Sequence, residues 1–183
     1  QTCALPILRA KLDEKKANKN DKLEAEIKAC NIVNSKLDIL REEFSADRAW
    51  VMQFHNGGHY YPTGKSIQKF SMFYESVEPS CESIKLLFQN IPVSLFSPSA
   101  NKILVDNVAA IPDFKDETVA TYGLKYTAKE TGSKSTYLFG IRDINNKLIG
   151  ILGIDYVKRK KSLNQDDLQT LEIEAAHIGG VLH

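Results

Sequence analysis

The sequence predicts an α+β domain: strands collected into one central antiparallel sheet, with the helices segregated at the chain ends. Three observations predict it. Leu23, Ile27, Cys30, Val33, Leu37, Leu40 and Phe44 recur at three- and four-residue steps, one face of an amphipathic helix. Residues 136–143 and 147–157 form an apolar pair around Asn145-Asn146, and asparagine accepts the left-handed geometry of a hairpin tip. A second amphipathic run closes the chain after Asn164. Strands gathered between segregated helices fit α+β architecture better than alternating β-α units.

The elements follow in order. Residues 1–7, QTCALPI, resemble a translated sequencing-adapter read-through; the alternative is a genuine flexible N-terminus with Pro6 opposing helix. Residues 8–21 are dominated by Lys, Asp, Glu and Asn and read as an exposed helix or a charged linker. The domain is therefore expected over 23–183, with 1–22 an artefactual or charged extension. In the first helix Glu24 and Lys28 form an i,i+4 pair in the better orientation. Ile32 and Ile39 are expected to widen its apolar face toward a sheet and another helix.

Residues 48–55 read as a strand apolar on both sides, with Trp50, Met52 and Phe54 opposite Ala49, Val51, Gln53 and His55. A turn is expected at Asn56-Gly57-Gly58. A second strand over 66–76 has Phe70, Met72 and Tyr74 alternating with Lys69, Ser71 and Phe73. Residues 82–90 suggest a short helix with Ile84, Leu87 and Phe88 inward, after which Pro92 and Pro98 break the chain. Residues 102–105 read as a strand, and 106–135 as irregular, with a helical turn or two near 116–122. The last helix has Asn164 as N-cap, Asp167 at its third position, and Leu163 and Leu168 as a hydrophobic staple.

Composition narrows function. Apolar residues make up 43% of the chain, enough for a core, and the net charge of +1 offers no field for nucleic acid. No apolar run approaches the ~20 residues of a bilayer span. Cys3, Cys30 and Cys81 form no C-x-x-C pair and no metal spacing, which fits a reducing, cytoplasmic setting. There is no G-x-S-x-G elbow, and TGKS at 63–66 lacks the rest of a phosphate loop. An enzyme using His55 or Cys81 would need an ionisable partner that the sequence does not place.

Several stretches resemble GAF domains. LVDNVAAIPDF resembles the segment in which a short strand leads into D-v-x-x-x-P-x-F. GSKSTYLFGIRDINNKLIGILGIDY is similar to the family's paired strands, and LNQDDLQTLEIEAAHIGGVL to its closing helix. The resemblance covers roughly residues 23–182. MQFHNGG followed by GKSIQK is also similar to uncharacterised GAF-like proteins of phage and bacteria, some with an upstream membrane anchor. The resemblance implies a sheet with the N- and C-terminal helices packed on one face and, on the other, a pocket beneath loops and short helices where small molecules or chromophores bind. It also implies a non-catalytic sensor that signals through those helices. The chain lacks the N-K-x-F-x-D-E pattern of cyclic-nucleotide-binding members, a cysteine placed for bilin attachment, and the clustered cysteines of the sulfoxide-reductase members.

The candidate ligand-binding residues are Gln53, His55, Asn56, His59, Tyr61, Lys69 and Glu75. Gln53, His55, Lys69 and Glu75 would project polar groups from neighbouring strands, and Tyr60 and Tyr61 could close over a flat or anionic ligand. The bland alternative is that His55 and Asn56 only hold the loop. His55 and His59 have H-x-x-x-H spacing, but Gly57-Gly58 between them removes the helix that would give it meaning for zinc. The KRKK run at 158–161 reads as a solvated connection more readily than as a nucleic-acid contact. The expected partners are a small molecule of unspecified identity and a second copy of the chain through the terminal helices. The alternative reading is a dimerising or membrane-tethered scaffold without a ligand, anchored upstream of Leu8. The sequence leaves the cofactor unspecified.

Overall fold

The computed structural model describes residues 4–183, with side chains described from residue 21 onward. Residues 1–3, Cys3 among them, lie outside the described residues. α1 (Ala4–Glu43) leads into β1 (Arg48–His59) and β2 (Ser66–Val77). β3 (Ile91–Pro92), α2 (Ser97–Asp106), β4 (Val108–Ile111) and α3 (Lys125–Thr131) form the central excursion. β5 (Ser135–Arg142), β6 (Leu148–Tyr156) and α4 (Gln165–Val181) complete the chain. The six strands form one sheet in the order β3-β2-β1-β6-β5-β4, every neighbouring pair antiparallel. The architecture is α+β, as the helix–strand order predicts.

The sheet carries a core on each face, because its central strands alternate apolar side chains both ways. On one face Val33, Leu37, Leu40 and Phe44 of α1 and Leu171, Ala175 and Ile178 of α4 bury against Val51, Phe139, Ile141 and Ile154. On the other, Trp50, Met52, Phe70, Met72 and Leu138 bury against Ile84, Phe88, Ile103, Phe114 and Leu124 of the excursion. α4 begins with a reciprocal capping box: the Asp167 N–H donates to Asn164 Oδ1 at 2.8 Å, and the Asn164 N–H to Asp167 Oδ2 at 3.0 Å. Asn146 takes the expected left-handed geometry, φ 62°, at the β5–β6 tip.

Several expectations are corrected. Pro6, expected to oppose helix, falls in the first turn of α1, where its missing N–H has no partner to lose; of the two readings of 8–21 the helix is the one found, continuous with α1. Ile32 and Ile39 are exposed; Lys36 of α1 instead pairs with Glu174 of α4. β1 does not stop at Gly57-Gly58 but runs through them to His59, with a register irregularity between Asn56 and His59, and the hairpin tip is residues 60–65. The register also shifts where Val51 pairs with Tyr74 and Met52 with Met72. Phe73 is the extra residue of that bulge, so Tyr74 moves to the face of α1 and Glu75 to the opposite face. The 102–105 strand is instead the end of α2, initiated by Ser97-Pro98, with Leu104 and Val105 facing solvent and Ile103 inward. The 82–90 helix reduces to a 3₁₀ turn at Lys85–Leu87 with Leu87 outward, and the helix expected near 116–122 lies at Lys125–Thr131.

Candidate functional site

A cavity of about 70 Å³ lies between the sheet and the central excursion. Its floor is Trp50, Met52 and Phe54 of β1 with Leu138 and Ile151 of the neighbouring strands; its roof includes Phe88, Phe96, Phe114 and Leu124. These walls follow from strand parity: even-numbered positions of β1 face the excursion.

Hydroxyls of Ser99 and Thr127 and one buried polar cluster interrupt the apolar wall. Asp155, near the end of β6, is 3% exposed and lines the cavity. The Trp50 indole N–H donates to its Oδ2 at 3.1 Å and the Thr136 hydroxyl to its Oδ1 at 2.8 Å. The Ser133 hydroxyl stands 3.5 Å from Oδ2. The Arg48 guanidinium, itself buried, lies 4.0 Å away. Burial pushes the Asp155 carboxyl above its ordinary range, and the donors from Thr136 and Trp50 and the charge of Arg48 oppose that rise.

Arg48 directs its hydrogen bonds elsewhere. Its Nε–H donates to the Glu82 carbonyl at 2.9 Å, and both terminal nitrogens donate to the Thr131 carbonyl at 3.1 Å. Glu82 and Thr131 belong to the two segments that roof the cavity, so one buried side chain of β1 ties both to the sheet. Glu75 adds a second tie: its Oε1 accepts from the Ile84 N–H at 2.9 Å and its Oε2 from the Lys85 N–H at 3.1 Å.

None of the seven candidate residues lines this cavity. Gln53, His55 and Lys69 project from the opposite face, which the parity of β1 and its pairing with β2 dictate. His55 Nε2 meets Ser71 Oγ at 2.9 Å, and the Asn56 side chain accepts from Gln68 at 2.9 Å. The Lys69 stem packs over Gly57. His59 pairs with Ser66 and is exposed, and Tyr61 is 98% exposed at the hairpin tip. Glu75 faces the excursion but serves its backbone. The polar groups at the cavity are instead Asp155, Trp50 and Thr136, with Arg48 behind them, none of them among the seven. Their signal was an acid in the apolar run LIGILGIDY and a base opening RAWVMQF, since charges buried in central strands are paired or functional.

Other chemistry is limited. Asp47, Glu78 and Cys81 bring ligand atoms within 4.8 Å of one another. Lys158 already stands among them, its Nζ 2.5 Å from Glu78 and 4.0 Å from Asp47. Burial and the Asp47 charge push the Cys81 thiol up, away from thiolate. Lys160 pairs with Asp113, so the basic run ties the β6–α4 connection to neighbouring loops.

Helices on one face of a six-stranded antiparallel sheet, with a roofed cavity on the other, decide the comparison. The fold is that of GAF domains. The PixJ GAF domain of Thermosynechococcus elongatus, in its blue-light absorbing form, superposes with a TM-score of 0.67 at 13% identity over 86% of each chain. The phycocyanobilin-bound GAF domain of a cyanobacterial phytochrome gives 0.63 at 20% identity, over 93% of this chain and 91% of that one. A region described as the GAF domain of a membrane protein from Geobacter sulfurreducens gives 0.65 at 15% identity, over 88% and 97%. No protein-family model matches the sequence, and no curated protein matches it. No helix of the described residues is long and apolar enough to cross a membrane.

Proposed function

We propose that the chain is a non-catalytic small-molecule sensor of GAF type that reports occupancy through α1 and α4. The observation that carries this reading is the cavity on the face opposite the terminal helices, walled mainly by apolar side chains, with a few hydroxyls and one buried acid, Asp155. Neighbours of the same fold hold phycocyanobilin or phycoerythrobilin in their GAF domains, which supports a ligand for this fold without naming the one used here. β1 links cavity to helices: Trp50 and Met52 face the cavity while Ala49 and Val51, their immediate neighbours, pack toward the terminal helices. Thermal shift followed by calorimetry against nucleotides, amino acids, oxo-acids and small apolar heterocycles tests the reading. Saturable binding that shifts the unfolding midpoint supports it; a panel without a single binder counts against it.

A second reading, a dimerising or membrane-tethered module without a ligand, is favoured by α1. Its apolar stripe continues past the sheet at Leu23 and Ile27, both more than half exposed. Sedimentation equilibrium of the wild type and of a Leu23→Glu, Ile27→Glu variant separates the two: a dimer lost in the variant supports an interface there, and a wild-type monomer opposes it.

A further inference from the structure

Resting on the reading of the cavity as a ligand site, we propose that its ligand is a small, flat, apolar molecule, neutral or cationic, that presents one N–H or O–H to the Asp155 carboxylate.

Charge gives the first constraint. Asp155 is the one ionisable side chain that lines the cavity; no Lys, Arg or His does so among the described residues. A phosphate or carboxylate entering would find no cation in the walls and an acid facing it in a low-dielectric space. Arg48 does not change this. Its hydrogen bonds go to the Glu82 and Thr131 carbonyls, and it stands behind Asp155 as a counter-charge rather than in the wall.

Acceptor capacity gives the second. A carboxylate offers about four lone-pair sites. Trp50 and Thr136 fill one each, Ser133 reaches a third only at 3.5 Å, and the Arg48 contact at 4.0 Å is no hydrogen bond. An acceptor direction therefore stays open in a wall that holds no other ionisable group and only a few hydroxyls. A ligand donor aimed there would make a charge-assisted bond away from competing water.

Shape gives the third. Trp50, Phe54, Phe70, Phe88, Phe96 and Phe114 present aromatic surface to the space, which suits a planar guest. At about 70 Å³ the cavity is near half the ~150 Å³ that admits benzene in an engineered apolar core. A single five-membered ring is the smallest aromatic guest and already needs the roof to give; larger guests require it to move further.

The matched probes are pyrrole, which donates through its N–H, furan, which has the same shape and no donor, and pyrrole-2-carboxylate, which adds an anion. Trp50 is the single tryptophan of the chain, so its indole N–H resonance reports the cavity in ¹H–¹⁵N spectra. Pyrrole is expected to bind about tenfold or more tightly than furan, with the carboxylate weaker than pyrrole. In Asp155→Asn the pyrrole preference should collapse toward parity, and the wild-type comparison stands by itself if that variant does not fold. Furan binding as tightly as pyrrole, or the carboxylate binding tighter, overturns the proposal while leaving a ligand site in place. If neither neutral ring moves the Trp50 resonance, the ligand-site reading falls and this inference falls with it.

Discussion

The Trp50 indole N–H reaches across from β1 to Asp155 on β6, 3.1 Å from its Oδ2, although Trp50 pairs in register with Gly153. The contact is therefore diagonal and fixes the indole as the cavity floor. Replacing Asp155 by Ala would strand the Trp50 N–H and the Thr136 hydroxyl and leave Arg48 without its nearest acid. The expected loss is about 3 kcal/mol or more, since breaking a buried charge cluster from one side costs more than the cluster contributes. Asp155→Asn, which keeps one acceptor oxygen, should lose less. Urea unfolding of the three proteins measures the order; equal stabilities would show that the cluster carries no structural weight.

Gly153 is where the indole lies. A Cβ added there would stand 2.1 Å from Trp50 Cζ2 and 2.2 Å from Cε2. These are atoms of a rigid ring whose adjacent Nε1–H is held by Asp155, so the ring must leave its place. Gly153→Ala should cost about 1–3 kcal/mol, the range of overpacking in a filled core. It should also alter the tryptophan emission in the folded state. A variant with wild-type emission and wild-type stability would mean that the indole moves freely.

Much of this fold could be read before any coordinates. The apolar stripe of α1, the β5–β6 hairpin and the Asn164 capping box are local patterns, and periodicity or cap chemistry reports them directly. What stayed hidden depended on register. The bulge at Phe73 reverses the faces of Tyr74 and Glu75, and nothing in SMFYES marks it. The candidate residues Gln53 and His55 were drawn from the polar side of β1, whereas the cavity took the apolar side, Trp50, Met52 and Phe54. A polar rim is conspicuous in sequence; a pocket walled mainly by apolar side chains, five phenylalanines among them, resembles ordinary core. Leu104 and Val105 misled for a related reason, since an apolar pair at the end of α2 faces solvent.

Arg48 ties both roof segments at once. Lysine at this position would keep the charge but lose the planar fork that serves the Glu82 and Thr131 carbonyls together. Arg48→Lys should therefore release the roof before the sheet. Amide hydrogen exchange is expected to quicken around Ile84–Phe88 and Lys125–Thr131 while the β5–β6 amides keep their protection. Uniform loss of protection would instead make Arg48 a contributor to global stability only.

Glu78 and Lys158 supply a pH-dependent tie at the start of the β6–α4 connection. The bond from Lys158 Nζ, 2.5 Å from Oε2, is the main reason the Glu78 carboxyl is held down at about 2, with hydrogen bonds from Ser80 adding to it. A carboxyl whose value falls on folding stabilises the folded state above its unfolded value, 4.5, and loses that contribution as the pH falls through about 2. Glu78→Gln should thus lower the melting temperature near pH 7, by an amount that shrinks between these two values and vanishes below them. The pair is open to solvent, so the effect should be small and should weaken in high salt. Melting curves of both proteins across this range, at low and high salt, provide the check. A difference between them that persists unchanged in acid would show that the Glu78 side chain acts through packing rather than through its charge.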